Sequence, residues 1–298
     1  MKKIIYSALF LLLSALLLIH PKESLDFALN GLNLWFQKMV PTLFPFMILS
    51  GMMVRMNLTD KLVLIVKPLL KPLFQLRGTA IYTIAVGFLC GFPMGARVTA
   101  DLYERRQLSK EEAAYLLAFT NNIGPIYFIS FALPIIGVNA SAPLFFGMYG
   151  IPLIYGFILR YTFYCEKITA ENYSYDLERE PAGLAKALDD SITVGIEGIT
   201  KLGGYMIIFN LLNIIPYLFI TADLSAGILS GMLEITGGLT ALKTSSPIIS
   251  LVLITFGGLS CFAQTFSCIS KTDLSIRNYI IHKLILTAIT VGYYLYVL

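Results

Sequence analysis

From Ala113 to Leu159 the chain runs for 47 residues without a single Asp, Glu, Lys, Arg or His. A helix crossing the ~30 Å hydrocarbon core of a bilayer needs about 20 residues, so this run holds two crossings and the turn between them. A second uncharged run, Thr244–Ser270, is 27 residues long. Soluble domains carry about 25% charged residues, whereas this 298-residue chain has 13%, with 57% hydrophobic. The expected fold class is all-α: a polytopic transmembrane helical protein.

The remaining bulk features exclude more than they suggest. The 22 Lys+Arg against 18 Asp+Glu give a net charge of +4, with no basic stripe interleaved with aromatics, so no nucleic-acid partner is expected. Cys90, Cys165, Cys261 and Cys268 form no C-x-x-C pair, and His20 and His282 are the only histidines, which excludes H-E-x-x-H. Neither G-x-S-x-G nor a P-loop occurs. No metal, cofactor or enzymatic activity is expected. Lys2 and Lys3 precede the uncharged Ile4–Ile19 without a small-x-small cleavage site, which reads as an uncleaved first span.

The next apolar unit, Leu34–Met56, carries Pro41 and Pro45 near its start and is expected to be kinked. Arg55, Lys61, Lys67, Lys71 and Arg77 follow, opposed only by Asp60 and interleaved with aliphatic residues, as in an interfacial helix on the cytoplasmic leaflet. The uncharged Gly78–Ala96 lies between this stretch and a second basic one, Arg97–Lys110. Both of its ends therefore face the cytoplasm, which predicts a re-entrant hairpin broken around Gly91, Pro93 and Gly95. Such irregular backbone must be buried in protein or line a cavity. Ser109 and Glu112 form a capping box that starts a helix. That helix breaks at Asn121-Asn122-Ile123-Gly124-Pro125, where Pro125 leaves carbonyls around Asn121 without donors.

After a turn near 137–143 comes a span at Leu144–Tyr164, then a charged cytoplasmic linker at 166–186. Spans are expected at Ile192–Ile220 and Leu224–Leu242, a broken one at Pro247–Ser270 and a last one at Tyr279–Leu298. The chain thus divides into an N-terminal span and connector (1–33), a first helical repeat (34–165), the linker and a second repeat (187–298). Lys38-Met39-Val40-Pro41 and Lys201-Leu202-Gly203-Gly204 open similar spans at an offset of 163 residues. Gly95-Ala96-Arg97 against Phe262-Ala263-Gln264 gives 167, and Leu108-Ser109 against Leu274-Ser275 gives 166. With Lys2 and Lys3 inside, the halves run in opposite directions, and such inverted repeats place a substrate where broken helices meet near the midplane. Strict inversion of the halves puts Lys271, Arg277 and Lys283 outside, against the positive-inside rule.

Candidate site residues follow from these breaks. Gly91-Phe92-Pro93-Met94-Gly95-Ala96-Arg97 is the most specific segment. Gly87, Gly91 and Gly95 alone would suit close helix packing, but Pro93 inside that spacing points to a break. Arg97 sits where the next helix starts and anions are favoured; it also suits an i,i+4 pair with Asp101 or a headgroup contact. Asn121 and Asn122 offer carboxamides to a carboxylate, an amide or a ring nitrogen, or serve only to satisfy the broken helix. Glu197 and Lys201 stand at i,i+4, either as site residues or as an interfacial pair. Glu234 has no basic residue within four positions of it, and so is protonated, paired with a distant cation, or coupled to an ion. Gln264 occupies in the second half the place of Arg97 in the first.

These motifs, together with Asp101-Leu102-Tyr103, Gly203-Gly204, Leu233-Glu234-Ile235-Thr236-Gly237-Gly238 and Gly257-Gly258-Leu259-Ser260, resemble the nucleoside-recognition (Gate) domain family, in particular the YlbJ-like sporulation integral membrane proteins. The resemblance covers most of residues 34–298. It implies a multi-pass protein of the bacterial plasma membrane, linked to spore formation and to movement of dipicolinate, a small aromatic dicarboxylate. The expected function is that of a transporter or permease for a small organic anion or nucleoside-like aromatic, bound by Gly91, Phe92, Pro93, Gly95, Arg97, Asn121, Asn122, Gly124, Pro125, Glu197, Lys201, Glu234 and Gln264. The alternative is a non-transporting membrane assembly factor that packs through glycine faces at Gly87 and Gly227. The lipid bilayer is a partner in either case; a coupling ion and a homo-oligomer remain open at this point.

Overall fold

The computed structural model describes residues 2–168 and 181–298, so most of the 166–186 linker lies outside the described residues. Every regular element among the described residues is helical. Helix α1 (Lys2–Ile19) leads into α2 (Pro21–Leu34), which continues through a π-helical turn at Trp35–Met39 into α3 (Val40–Arg55). Pro41 and Pro45 lack the N–H that the ladder needs, and the widened turn sits directly ahead of them. Helix α4 (Lys67–Phe74) is bent by 111° from α5 (Gly78–Cys90) and leaves Leu69 and Leu73 exposed, as expected of an interfacial segment. There follow α6 (Met94–Glu104), α7 (Lys110–Thr120), α8 (125–136) and α9 (Ala142–Thr162). The second half comprises α10 (Leu184–Leu211), α11 (Ile214–Phe219), α12 (Asp223–Leu233), α13 (Ile235–Leu242), α14 (Pro247–Phe256), α15 (Gly258–Ile269) and α16 (Ile276–Val297).

Among the described residues, five segments are long and apolar enough to cross a bilayer: Lys110–Ile136, Ala142–Thr162, Leu184–Phe219, Pro247–Ile269 and Ile276–Val297. Their ends define two faces. On one, Lys110 pairs with Asp273, Arg77 pairs with Glu112, and the Arg55 carbonyl accepts from the Ala182 N–H ahead of α10. On the other, Gly137 abuts Thr244, and the hydroxyls of Tyr293 and Tyr294 donate to the carbonyls of Pro143 and Leu144. The first face carries the basic stretches and is cytoplasmic by the positive-inside rule.

Helices α5 and α6 both begin or end on the basic face and meet at Gly91–Pro93, which is the expected re-entrant hairpin. The segment 223–242 corrects the sequence expectation of a full span at Leu224–Leu242. Helices α12 and α13 lie back to back: a Cβ on Gly238 would overlap the backbone of Gly231, and one on Gly227 would meet Leu242. The chain reverses at Glu234, whose backbone is extended (φ −147°, ψ 126°) and whose carboxylate caps α13 by accepting from the Gly237 N–H. This second hairpin opens on the face opposite to the first. About 20 apolar residues suffice for one crossing or for two half-crossings, so hydropathy could not separate the two. With a hairpin here, Lys271 and Arg277 fall on the basic face and the conflict with the positive-inside rule disappears. Lys283 lies on neither face, being 2% exposed.

Each half contains, in chain order, a long helix (α2–α3, α10–α11), a hairpin (α5–α6, α12–α13), a broken helix (α7–α8, α14–α15) and a closing helix (α9, α16). Lys38 and Lys201 lie on corresponding long helices. Gly95–Arg97 and Phe262–Gln264 do not correspond, since the former lie on a hairpin limb and the latter on a crossing limb. Both breaks have local causes. The α7–α8 break is set by Pro125, and the α14–α15 break by Gly257 and Gly258, whose φ values of +91° and +71° disfavour residues with a Cβ. Buried apolar residues form one cluster containing Phe119 and Tyr279, and another containing Ile123 and Tyr294, so the α7 break falls between the two. Outward-facing side chains such as Phe36, Leu49, Ile285 and Leu295 are apolar, which suits lipid rather than water.

Candidate functional site

The first hairpin tip is pressed against the first break. Gly91 has φ +81°, and a Cβ there would overlap the backbone of Gly124; Gly87 and Gly95 both face the Thr120 carbonyl at the end of α7. The close approach needs glycine on both limbs. The Phe92–Pro93 peptide is cis. On the other side of the molecule the second hairpin tip presents Glu234, 5% exposed. Its Oε1 accepts from the Thr236 hydroxyl at 2.6 Å, and its Oε2 accepts from the Gly237 N–H at 2.9 Å and from Asn210 Nδ2 at 3.2 Å. Three donors on one carboxylate hold it in place and offset part of the cost of burying it.

Both tips and the first break border a cavity of ≈ 80 Å³, the inner of two, which is open at one side past the exposed Phe46, Leu89 and Ile126. Phe92, Gly124, Tyr127, Glu234, Thr236 and Gln264 line it, with Leu202 and Met206 of α10. A larger cavity of ≈ 320 Å³ lies towards the basic face and is lined by Pro93, Arg97, Glu197, Lys201, Gln264 and Lys271, among others. Leu202 and Gln264 border both cavities, so the carboxamide of Gln264, whose Nε2 donates to Ser260 at 2.9 Å, stands at their junction. Five basic residues (Arg55, Arg97, Arg105, Lys201, Lys271) face the outer cavity against three acidic ones (Asp101, Glu104, Glu197). Its field favours anions.

The candidates from the sequence thus separate. Phe92, Gly124, Glu234 and Gln264 come together at the inner cavity, and Pro93, Arg97, Glu197 and Lys201 at the outer one. Arg97 donates from Nη2 to the Val194 carbonyl at 2.6 Å, which fixes its guanidinium on α10. Glu197 and Lys201 pair at 2.6 Å on an accessible helix face. Gly91, Gly95, Asn121, Asn122 and Pro125 border neither cavity and form the packing behind them. Asn121 braces three elements: its Oδ1 accepts from the Ala96 N–H, and its Nδ2 donates to Thr265 at 2.8 Å and to Tyr279 at 3.2 Å.

Lys283, a topology marker in the sequence, is a buried cation in the structure. Its ammonium donates to the Asn121 carbonyl at 3.0 Å and to Asn122 Oδ1 at 3.1 Å, and lies 4.7 Å from the centroid of the Phe92 ring. It supplies the donor that the carbonyls at the Pro125 break lack. A lysine inside an apolar helix is an available signal, because intramembrane charges are costly and seldom idle. Asn210, which reaches Glu234 from an apolar stretch of α10, carried a weaker one.

Residues 36–141 match the family model described as Gate, nucleoside recognition. That range holds the first hairpin, the first break, Arg97, Asn121 and Asn122, whereas Glu234, Gln264 and Lys283 lie beyond it. The chain is 25% identical to the sporulation integral membrane protein YlbJ of Bacillus subtilis (strain 168) over an alignment of 326 residues, covering 95% of this chain and 79% of the relative. No solved structure matches. The chain is a multi-pass helical membrane protein that matches the Gate nucleoside-recognition model across its first hairpin and first broken helix and is similar to YlbJ over 95% of its length.

Proposed function

We propose that this protein is a transporter or permease that moves a small organic anion with an aromatic body, and that its two halves, 34–165 and 187–298, act as inverted repeats around the inner cavity. One observation carries this reading: two hairpins entering from opposite faces meet a broken helix at a single, largely apolar cavity with Glu234 and Gln264 in its wall, which adjoins a basic outer one through Gln264. Irregular backbone at membrane depth is tolerated where it lines such a cavity. The outer cavity draws the anion in through Arg97, Lys201 and Lys271. Ligand pockets typically measure about 300–1,000 Å³; the outer cavity reaches that range and the inner one does not. Passage inward therefore requires a hairpin to withdraw, and two hairpins anchored on opposite faces give two gates that open in turn.

Dipicolinate is the candidate solute, because the family resemblance implies its movement and the name of the relative YlbJ ties that protein to sporulation. A nucleoside is the second reading, favoured by the Glu234 carboxylate and Gln264 carboxamide in the inner cavity, which suit hydroxyls and ring nitrogens, and by the description of the Gate family. An assembly factor packing through Gly87 and Gly227 fits less well, since both glycines are engaged within the chain, against Thr120 and Leu242.

Uptake of labelled dipicolinate and labelled nucleosides into proteoliposomes tests the proposal. Dipicolinate flux that falls at least tenfold in Arg97→Ala is expected, with Glu234→Gln impairing nucleoside flux if that reading holds. Absence of flux for both solutes, with a second membrane protein co-purifying tightly, would favour the assembly role.

A further inference from the structure

The break in α7–α8 is built to hold a cation. It presents the negative end of an eleven-residue helix, the free carbonyl of Asn121, the Oδ1 of Asn122 and, from the first hairpin tip, the face of the Phe92 ring. Helix C-termini, unwound carbonyls and aromatic faces each favour positive charge. In membrane proteins, half-helix ends of this kind coordinate sodium ions or protons. Here the point where they converge is filled by the ammonium of Lys283, which reaches in from α16, in the other half of the chain. No carboxylate among the described residues forms an ion pair with it; its partners are the neutral, electron-rich groups a free ion would use. Asn122 is held for the purpose, its Nδ2 donating to the Phe119 carbonyl at 2.6 Å so that its Oδ1 faces Lys283.

We infer that Lys283 is a tethered cation occupying an alkali-cation site at the α7–α8 break, where it joins the first hairpin tip to the second half of the molecule and makes a free ion at this site unnecessary. A lysine that merely fills space would be replaceable by an apolar side chain of similar length. One that merely caps carbonyls would not leave behind a site selective for small cations.

The two are separated by thermal unfolding of the purified protein in lipid nanodiscs, which requires no knowledge of the solute. Wild type is measured in choline chloride, sodium chloride, potassium chloride and methylammonium chloride at equal ionic strength, alongside Lys283→Ala and Lys283→Met. Wild type should unfold at the same temperature in all four salts. Lys283→Ala should unfold earlier in choline and regain stability, saturably, with sodium, potassium or methylammonium. Lys283→Met, whose side chain fills the site, should be destabilised and not rescued. A saturable sodium or potassium stabilisation of wild type overturns the inference, as does a Lys283→Ala protein that no small cation restores or a Lys283→Met protein as stable as wild type. Should Lys283→Ala fail to fold in choline, its purification in sodium or methylammonium alone supports the inference, and failure in every salt counts against it.

Discussion

Gly238→Ala is the sharpest perturbation of the second hairpin. The added methyl would fall on the Gly231 Cα and N and close to the Ser230 carbonyl carbon, all of them backbone atoms that no rotamer change can move. Inserting a methylene into a packed interior costs about 1–3 kcal/mol, and a backbone-on-backbone clash belongs at the upper end, ~3 kcal/mol. At roughly 2–4 °C per kcal/mol for chains of 150–250 residues, this predicts unfolding ~6–12 °C earlier at a fixed scan rate. Gly204→Ala is the matched control. A Cβ at Gly204 meets nothing within 4 Å, and replacing a mid-helix glycine with alanine gains about 0.5–1 kcal/mol, so this variant should be slightly more stable than wild type. Both are read by scanning fluorimetry of protein in nanodiscs. If Gly238→Ala unfolds no earlier than Gly204→Ala, the limbs α12 and α13 do not pack through these glycines, and the hairpin is wrong.

Glu234→Ala should destabilise more than Glu234→Gln. Removing an N-cap costs about 0.5–2 kcal/mol, and the alanine variant also leaves Asn210 and Thr236 without their acceptor; chemical denaturation of the two variants checks the order. Arg160→Leu should lose several kcal/mol, since the buried guanidinium donates to the carbonyls of Phe74, Tyr164 and Ile168 and each hydrogen bond to a charged group contributes about 1.5–3 kcal/mol; early proteolysis near α4 would report the loss. Lys110, with help from the Tyr103 hydroxyl, holds the Asp273 carboxyl below the usual carboxylate range. A depressed folded-state pKa means that the clamp is intact above the ordinary aspartate value and is lost as the pH falls through the lower one, so hydrogen exchange at 271–275 should rise only in that acid range. At neutral pH Asp273→Asn should change stability little, because the pair is exposed to solvent.

Much of this architecture was legible in the sequence because breaks in membrane helices have local causes. Pro125 behind Gly124, and Pro93 between Gly91 and Gly95, each remove a donor or permit a reversal within a few residues, and Ser109 with Glu112 marks a helix start that the structure reproduces with both capping hydrogen bonds. The second hairpin was not legible. Nothing near Glu234 lacks a backbone donor, and the reversal depends on contacts between Gly231 and Gly238 that exist only once the limbs have packed. The candidate site divided along the same line. Arg97 and Gln264 could be placed beside breaks on their own elements. The position of Lys283, by contrast, depends on α16 crossing behind α7, a contact between residues more than 150 positions apart.

Sidedness of the second hairpin is the most direct test of the two-hairpin architecture on which the rest depends. Single cysteines introduced as Ala222→Cys, Ser245→Cys and Ser270→Cys, all at exposed positions, in a background lacking Cys90, Cys165, Cys261 and Cys268, would be labelled with a membrane-impermeant maleimide in intact cells and in inside-out vesicles. With two opposed hairpins, Ala222→Cys and Ser245→Cys label together from outside the cell and Ser270→Cys only in the vesicles. Labelling of Ala222→Cys and Ser245→Cys from opposite sides would make 223–242 a full crossing and contradict the two opposed hairpins.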